Sequence, residues 1–171
     1  MNNRSPILFY FQKQPKNIFS PSKYYAGLTQ KEAQLRKKEI TRGKKTKSSD
    51  KKAYKPFKTD QGKKTKSSSY TTKFHSLFPE VKNLQEIAKV TGIPLDILKK
   101  VYDKGLAAWR TGHRPGATQG QWAYARVYSF VVKGCTHYNP DHKLVEEAKN
   151  RSAKAKAFWQ NLPCFCHKGC N

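Results

Sequence analysis

The chain has 171 residues and carries 35 Lys and Arg against 11 Asp and Glu, a formal net charge of +24. Only 36% of its residues are apolar and its mean hydropathy is −0.87, which leaves material for one modest core and not for a two-core enzyme. No apolar run approaches the ~20 residues that span a bilayer, and Ile7-Leu8-Phe9-Tyr10-Phe11 is too short for a secretory leader, so neither a membrane span nor a secreted chain is expected.

The charge is uneven along the chain. The first 70 residues hold 19 basic and 4 acidic side chains, whereas the remaining 101 hold 16 and 7. Between Thr41 and Thr72 aliphatic residues are sparse and Lys, Ser, Thr and Gly dominate, too little apolar surface to offset chain entropy. Residues 1–73 are therefore expected to form a long extended basic arm that orders only against a partner. Within it, residues 7–11 could add a strand to a neighbour or fill its groove. Thr29 as N-cap, Glu32 at the capping-box position and Leu28 as a staple predict one short helix, ending near Thr41. Its apolar residues, Ala33, Leu35 and Ile40, are few, so it should lie on a surface and not inside one.

An internal repeat sits in this arm. Gly43-Lys44-Lys45-Thr46-Lys47-Ser48-Ser49 recurs unchanged as Gly62-Lys63-Lys64-Thr65-Lys66-Ser67-Ser68. The cations Lys44, Lys45, Lys47, Lys63, Lys64 and Lys66 alternate with Tyr54, Phe57, Tyr70 and Phe74. Such a pattern suits lysines on phosphates or carboxylates, with rings stacked on bases or seated in pockets of a protein partner. A solvated low-complexity linker is the alternative.

Residues 74–160 read as a compact helical domain. Asn83, with Glu86 three residues on, opens a helix that should stop at Gly92, and Pro94 starts the next, whose Leu95, Ile97, Leu98, Val101 and Tyr102 form a buried stripe. The corner is like a helix-turn-helix, whose second helix would present Asp96, Lys99, Lys100 and Asp103 to a DNA groove. Two of those four repel phosphate, which favours a plain structural corner. An irregular loop follows, Arg110-Thr111-Gly112-His113-Arg114-Pro115-Gly116-Ala117, bracketed by Trp109 and Trp122. Arg110 and Arg114 are candidate phosphate contacts. His113 reads as a surface or capping residue, because no carboxylate or nucleophile stands at a recognised spacing from it. Two further helices are expected, one opened by Thr118 with Gln121 and stopped at Gly134, the other opened at Asn139-Pro140-Asp141 and continuing to Trp159. The expected fold class is mainly α, and order should be concentrated between Phe74 and Trp159.

The last eleven residues, 161–171, form a tail with Cys164, Cys166, His167 and Cys170, which Cys135 could join if the tail folds back. Zinc, disulfides or cross-links, and free thiols are three open readings, and no other cofactor is implied. No phosphate-binding glycine loop, paired-acid motif or nucleophile elbow is present, so neither an enzyme, catalytic residues nor a small-molecule substrate is expected.

Several strings together resemble an uncharacterised basic protein family of large double-stranded DNA viruses of the chlorella-virus, mimivirus-like and related groups. They are Pro21-Ser22-Lys23-Tyr24-Tyr25-Ala26-Gly27-Leu28, Lys52-Ala53-Tyr54-Lys55-Pro56-Phe57-Lys58-Thr59-Asp60, Ser69-Tyr70-Thr71-Thr72-Lys73-Phe74-His75, the stretch from Gly105 to Ala117, and Trp122-Ala123-Tyr124-Ala125-Arg126-Val127-Tyr128-Ser129-Phe130. The resemblance implies a viral source and carries no catalytic residues. Read with the basic arm and helical knob, it points to a minor capsid protein that links major capsid protein and other minor capsid proteins on the inner face of an icosahedral virion. Fully extended at ~3.3 Å per residue, an arm of this kind would reach more than roughly 100 Å. Viral DNA or an acidic inner membrane face are further possible partners, and a nucleic-acid-binding protein, for genome packaging or gene regulation, is the competing class.

Overall fold

The computed structural model describes residues 21–170, and the expectation for residues 7–11 lies outside them. The described chain is mainly helical, without a strand. Its α-helices are α1 (Gln30–Lys45), α2 (Ser69–Leu77), α3 (Leu84–Thr91), α4 (Leu95–Trp109), α5 (Gln119–Val131), α6 (Cys135–Tyr138), α7 (His142–Arg151) and α8 (Ala153–Gln160), with short 3-10 turns at Ser22–Tyr24, Lys51–Tyr54 and Lys58–Asp60. No helix among the described residues is long and apolar enough to cross a membrane.

Local chemistry sets most of the ends. Thr29 Oγ1 accepts from the Glu32 backbone N–H while Glu32 accepts from that of Thr29, a closed capping box, and Thr118 and Gln121 repeat it at the start of α5. Asn83 caps α3, and Gly92, at φ +78°, turns the chain through the left-handed region before Pro94 and α4. Two expected boundaries move. The helix opened at Thr118 ends at Val131, because Lys133 takes φ +54° and sends its ammonium to the carbonyls of Trp159 and Leu162. The single last helix breaks at Ser152, which ends α7 and whose hydroxyl accepts from Ala155 N–H to cap α8.

The α4–α5 hairpin is the centre of the fold. On it pack α2 against α5 and α3 against α4, with α8 closing on α3 and with α6 and α7 following from the end of α5. Phe74, Ile97, Leu98, Val101, Val127, Phe130, Val131 and Val145 are fully buried. At the crossing of the hairpin a Cβ on Gly105 would stand 2.6 Å from Ala123 Cα, so glycine lets the two backbones meet. Phe74 stacks on Tyr128 with centroids 4.3 Å apart, and Phe130 meets Trp159 edge-on at 5.5 Å.

The described part of the expected arm, residues 21–73, is not extended. It folds across the Arg110–Ala117 loop, burying Arg36, Glu39, Ile40, Phe57 and Thr59, so Phe74 marks no structural boundary. α1 also runs a turn past Thr41, to Lys45. The missing apolar surface is replaced by a hydrogen-bonded polar interior, which hydropathy does not register.

Candidate functional site

The segment strings that looked most distinctive converge on one buried clip. From α1, Arg36 Nη1 donates to Asp60 Oδ1 at 2.7 Å and to Thr59 Oγ1 at 2.9 Å, while Nη2 donates to the His113 carbonyl at 2.6 Å. Glu39, one turn on, accepts from Lys58 N–H and from the Thr59 hydroxyl, both at 2.6 Å. Asp60 also receives the backbone N–H groups of Phe57 and Gly116. His113 Nδ1 lies 2.8 Å from the Trp109 carbonyl, which can only accept, so this nitrogen carries a proton; Nε2 is 2.9 Å from Asp60 Oδ2. The imidazole is stacked on Trp109 at 4.3 Å, and the Arg36 guanidinium lies 4.7 Å over Phe57.

Burial pushes the Asp60 carboxyl upward, but His113, Gly116 N–H and Arg36 outweigh it and hold the group below its ordinary value. His113 is therefore no surface residue. It is fully buried, and its carboxylate partner comes from 53 positions upstream, a distance at which no motif spacing is legible. With no exposed surface on either Arg36 or His113 and 12% on the Asp60 side chain, the arrangement clamps three segments together.

A second buried carboxylate fixes the other side of the hairpin. Asp141 receives Arg126 through two hydrogen bonds of 2.8 and 2.9 Å and Lys104 at 2.9 Å. Along the same face Arg151 of α7 pairs with Asp96 of α4, and Glu147 with Lys100. The face expected to enter a DNA groove is thus committed in part to α7. Of its four residues, Lys99 and Asp103 alone lack an ion pair among the described residues.

The other expected contact residues separate into inward and outward groups. Arg110 is inward: its guanidinium meets the carbonyls of Gly43 and Thr46, the latter at 2.7 Å, and neutralises the C-terminal end of α1. Phe57 is buried in the clip, Phe74 in the core, and Tyr70 packs on Phe165 with its hydroxyl near Cys135 and His167. Tyr54 donates to the Ser48 carbonyl. The alternation of cations with rings thus does not create an exposed stacking platform from these four aromatics. Lys63 pairs with Glu32 at 3.0 Å, and Arg114 is half-buried. Exposed remain Lys44, Lys45, Lys47, Lys64 and Lys66 from the two repeats. They are joined by two cations of α1 that the sequence does not single out as contacts, Lys38 and Arg42.

What makes this surface distinctive is where the acids are. Glu32, Glu39, Asp50, Asp60, Glu86, Asp96, Asp141, Glu146 and Glu147 all hold partners within the fold. Of the 11 acidic side chains that leaves Glu80 and Asp103, and neither lies on α1. The cations of α1 therefore project an almost unopposed positive field.

The tail folds back as one of its readings allowed. Cys166 is bonded to Cys135, with Cα atoms 4.5 Å apart, and Cys164 to Cys170 at 6.1 Å. The Phe165 N–H donates to the Lys133 carbonyl at 2.9 Å, and His167 Nδ1 lies 3.5 Å from Cys135 Sγ. Among the described residues no group of His, Cys, Asp and Glu is arranged to hold a metal ion.

His137, at the start of the same corner, yields a pH prediction. It is 4% exposed, its Nδ1 donates to the Phe130 carbonyl, and burial pushes its pKa down to about 4. In the unfolded chain the value returns to ~6.5, so between pH 6.5 and 4 the unfolded state binds a proton that the folded state refuses. Stability is complete above pH 6.5 and drains as pH falls through that window, by on the order of 2–3 kcal/mol. Urea unfolding at stepped pH should show this loss in the native protein and a much flatter profile in His137→Gln; parallel profiles would contradict the assignment.

No curated protein and no solved structure matches the chain. A family model does, over residues 21–149, a span that takes in the buried clip, the α4–α5 hairpin and most of α7 and stops short of α8 and the cysteine tail. The chain therefore belongs to the family of unknown function DUF5824.

Proposed function

We propose that the protein is a non-enzymatic structural component of a large double-stranded DNA virus particle, a minor capsid protein on the inner face of the shell. It acts by contact, holding major capsid protein and other minor capsid proteins through its cationic surface. The observation that carries the reading is the separation just described: nine of the acids are committed to partners within the fold while the repeat lysines Lys44, Lys47, Lys64 and Lys66 face outward without an ion pair among the described residues. That is the surface of a protein held by acidic partners. The viral resemblance of the segments forming the clip supports the setting. Because residues 21–73 fold onto the helical body, the proposed linkage works through a compact basic face and not through a 70-residue tether.

The competing reading as a sequence-specific regulator is disfavoured by the engagement of Asp96 and Lys100 with α7. Fractionation of purified virions tests the proposal. The protein should stay with shells after nuclease and mild salt; release together with the genome would overturn the shell assignment and favour packaging.

A further inference from the structure

We infer that the outer face of α1 is a binding rail for the phosphate backbone of duplex nucleic acid, blind to base sequence. The inference goes beyond the shell role and stands apart from it, since it concerns the purified protein and not its place in a particle.

The rail is built by the way α1 is seated. Arg36, Glu39, Ile40 and Gly43 turn inward, which leaves Lys38, Arg42 and Lys45 exposed along one stripe, with Lys37 beside them. At 1.5 Å rise per residue their Cα atoms are separated by ~6 and ~4.5 Å along the axis, within reach of neighbouring phosphates on a strand that carries one charge per ~3.4 Å. The same side chains, with Gln34, Thr41 and Thr46, line a shallow open depression. The Thr41 and Thr46 hydroxyls donate to the Lys37 and Gly43 carbonyls, so the donors left for phosphate oxygens are the cations and the Gln34 amide.

No internal carboxylate competes for this face. Glu32 is held by Thr29 and Lys63, and Glu39 by Lys58 N–H and Thr59. Residues 1–20 contain no Asp or Glu at all. Arg110 adds its charge at the C-terminal end, where a free helix terminus would repel an anion.

Two observations select duplex over the other polyanions. Single-strand binding draws ~1–3 kcal/mol per base from stacking on aromatic rings; α1 contains no aromatic residue, and Phe57 and Phe74 nearby in sequence are buried. A protein interface needs buried apolar anchors at its centre, and Leu35, at one end of the stripe, is the single large apolar side chain exposed on α1. On this stripe, evenly spaced cations without an apolar centre fit a phosphate backbone better than an acidic protein.

The test uses the full chain and three probes of equal charge: a mixed-sequence 20-base-pair duplex, a single strand and polyglutamate, each titrated by fluorescence anisotropy over a salt series. The duplex should bind at least tenfold more tightly than either other probe, and two unrelated duplex sequences should bind alike. Replacing Lys38, Arg42 and Lys45 together by Gln should reduce the slope of log affinity against log salt by about 2.7, at ~0.9 per phosphate contact. A control with the same loss of charge, Lys99, Lys143 and Lys156 to Gln, should reduce it by less than about 1. All six residues are exposed, and circular dichroism should show both variants folded. Equal losses in the two triples, tighter binding of the single strand, or equal binding of polyglutamate would each overturn the inference, the last by assigning the face to acidic proteins. None of these outcomes bears on whether the protein fractionates with shells.

Discussion

Replacing Asp60 by Ala should lower the unfolding free energy by about 3–5 kcal/mol, a large part of what a domain of this size possesses. The magnitude follows from what the substitution leaves behind. Arg36 is fully buried, with its Nε already lacking a hydrogen-bond partner among the described residues. Without Asp60 the guanidinium keeps only Thr59 and the His113 carbonyl, neither of which carries charge. Phe57 N–H, Gly116 N–H and His113 Nε2 lose their acceptor in the same step. Asp60→Asn should be milder, since its carbonyl can still accept from Arg36 and Gly116, though its amide nitrogen then meets two donors, Phe57 N–H and His113 Nε2. The exposed pair Glu146–Lys149 sets the scale at the other extreme: Glu146→Gln should change stability by less than about 1 kcal/mol. Equilibrium unfolding in urea should give the order Ala, Asn, surface control, and hydrogen exchange should locate the loss in α1 and the Lys58–Asp60 turn before α4 and α5. An Asp60→Ala protein as stable as the surface control would show that the clip contributes nothing.

The clip also explains which parts of the fold were legible in sequence. Features decided within four residues were readable: the capping boxes at Thr29 and Thr118, the Asn83 cap, the Gly92 turn and the apolar stripe of α4. Each is a local balance of backbone hydrogen bonds and side-chain size. The seating of residues 21–68 was not readable, because the face that α1 buries is made of Arg36, Glu39, Ile40 and Gly43, three of which score as solvent-seeking or neutral. What neutralises Arg36 lies 24 positions away at Asp60, and what Asp60 needs lies 53 positions further, at His113. The same blindness misplaced the candidate contacts. Arg110 and Phe57 look like ligands for a partner when charge and aromaticity alone are counted, yet both are spent inside the fold. Lys38 and Arg42 drew no notice, because a helical lysine is ordinary until the acids around it are seen to be committed elsewhere.

The two identical heptapeptides give the sharpest case of context overruling sequence, and it is measurable. In a solvated helix Gly→Ala stabilises by about 1 kcal/mol, and Gly43 lies inside α1, so local propensity alone predicts a more stable protein. The structure predicts the reverse sign. A Cβ on Gly43 would overlap the Arg110 carbonyl oxygen, a backbone atom at the end of α4 that no rotamer change can move aside. α1 would have to lift from the loop, taking the Arg110 contacts to Gly43 and Thr46 with it. Gly43→Ala should therefore cost about 2–3 kcal/mol, the upper range for overpacking. Gly62, the same position of the second copy, sits in a turn at φ +68° with nothing within 4 Å of a built Cβ. There the cost is conformational only, about 1 kcal/mol for placing an L-residue in the left-handed region. Thermal unfolding of the two single variants should thus lower Tm clearly more for Gly43→Ala than for Gly62→Ala. A Gly43→Ala protein at least as stable as the native one would mean that α1 does not touch Arg110, and residues 30–45 would return to being a helix on a free arm.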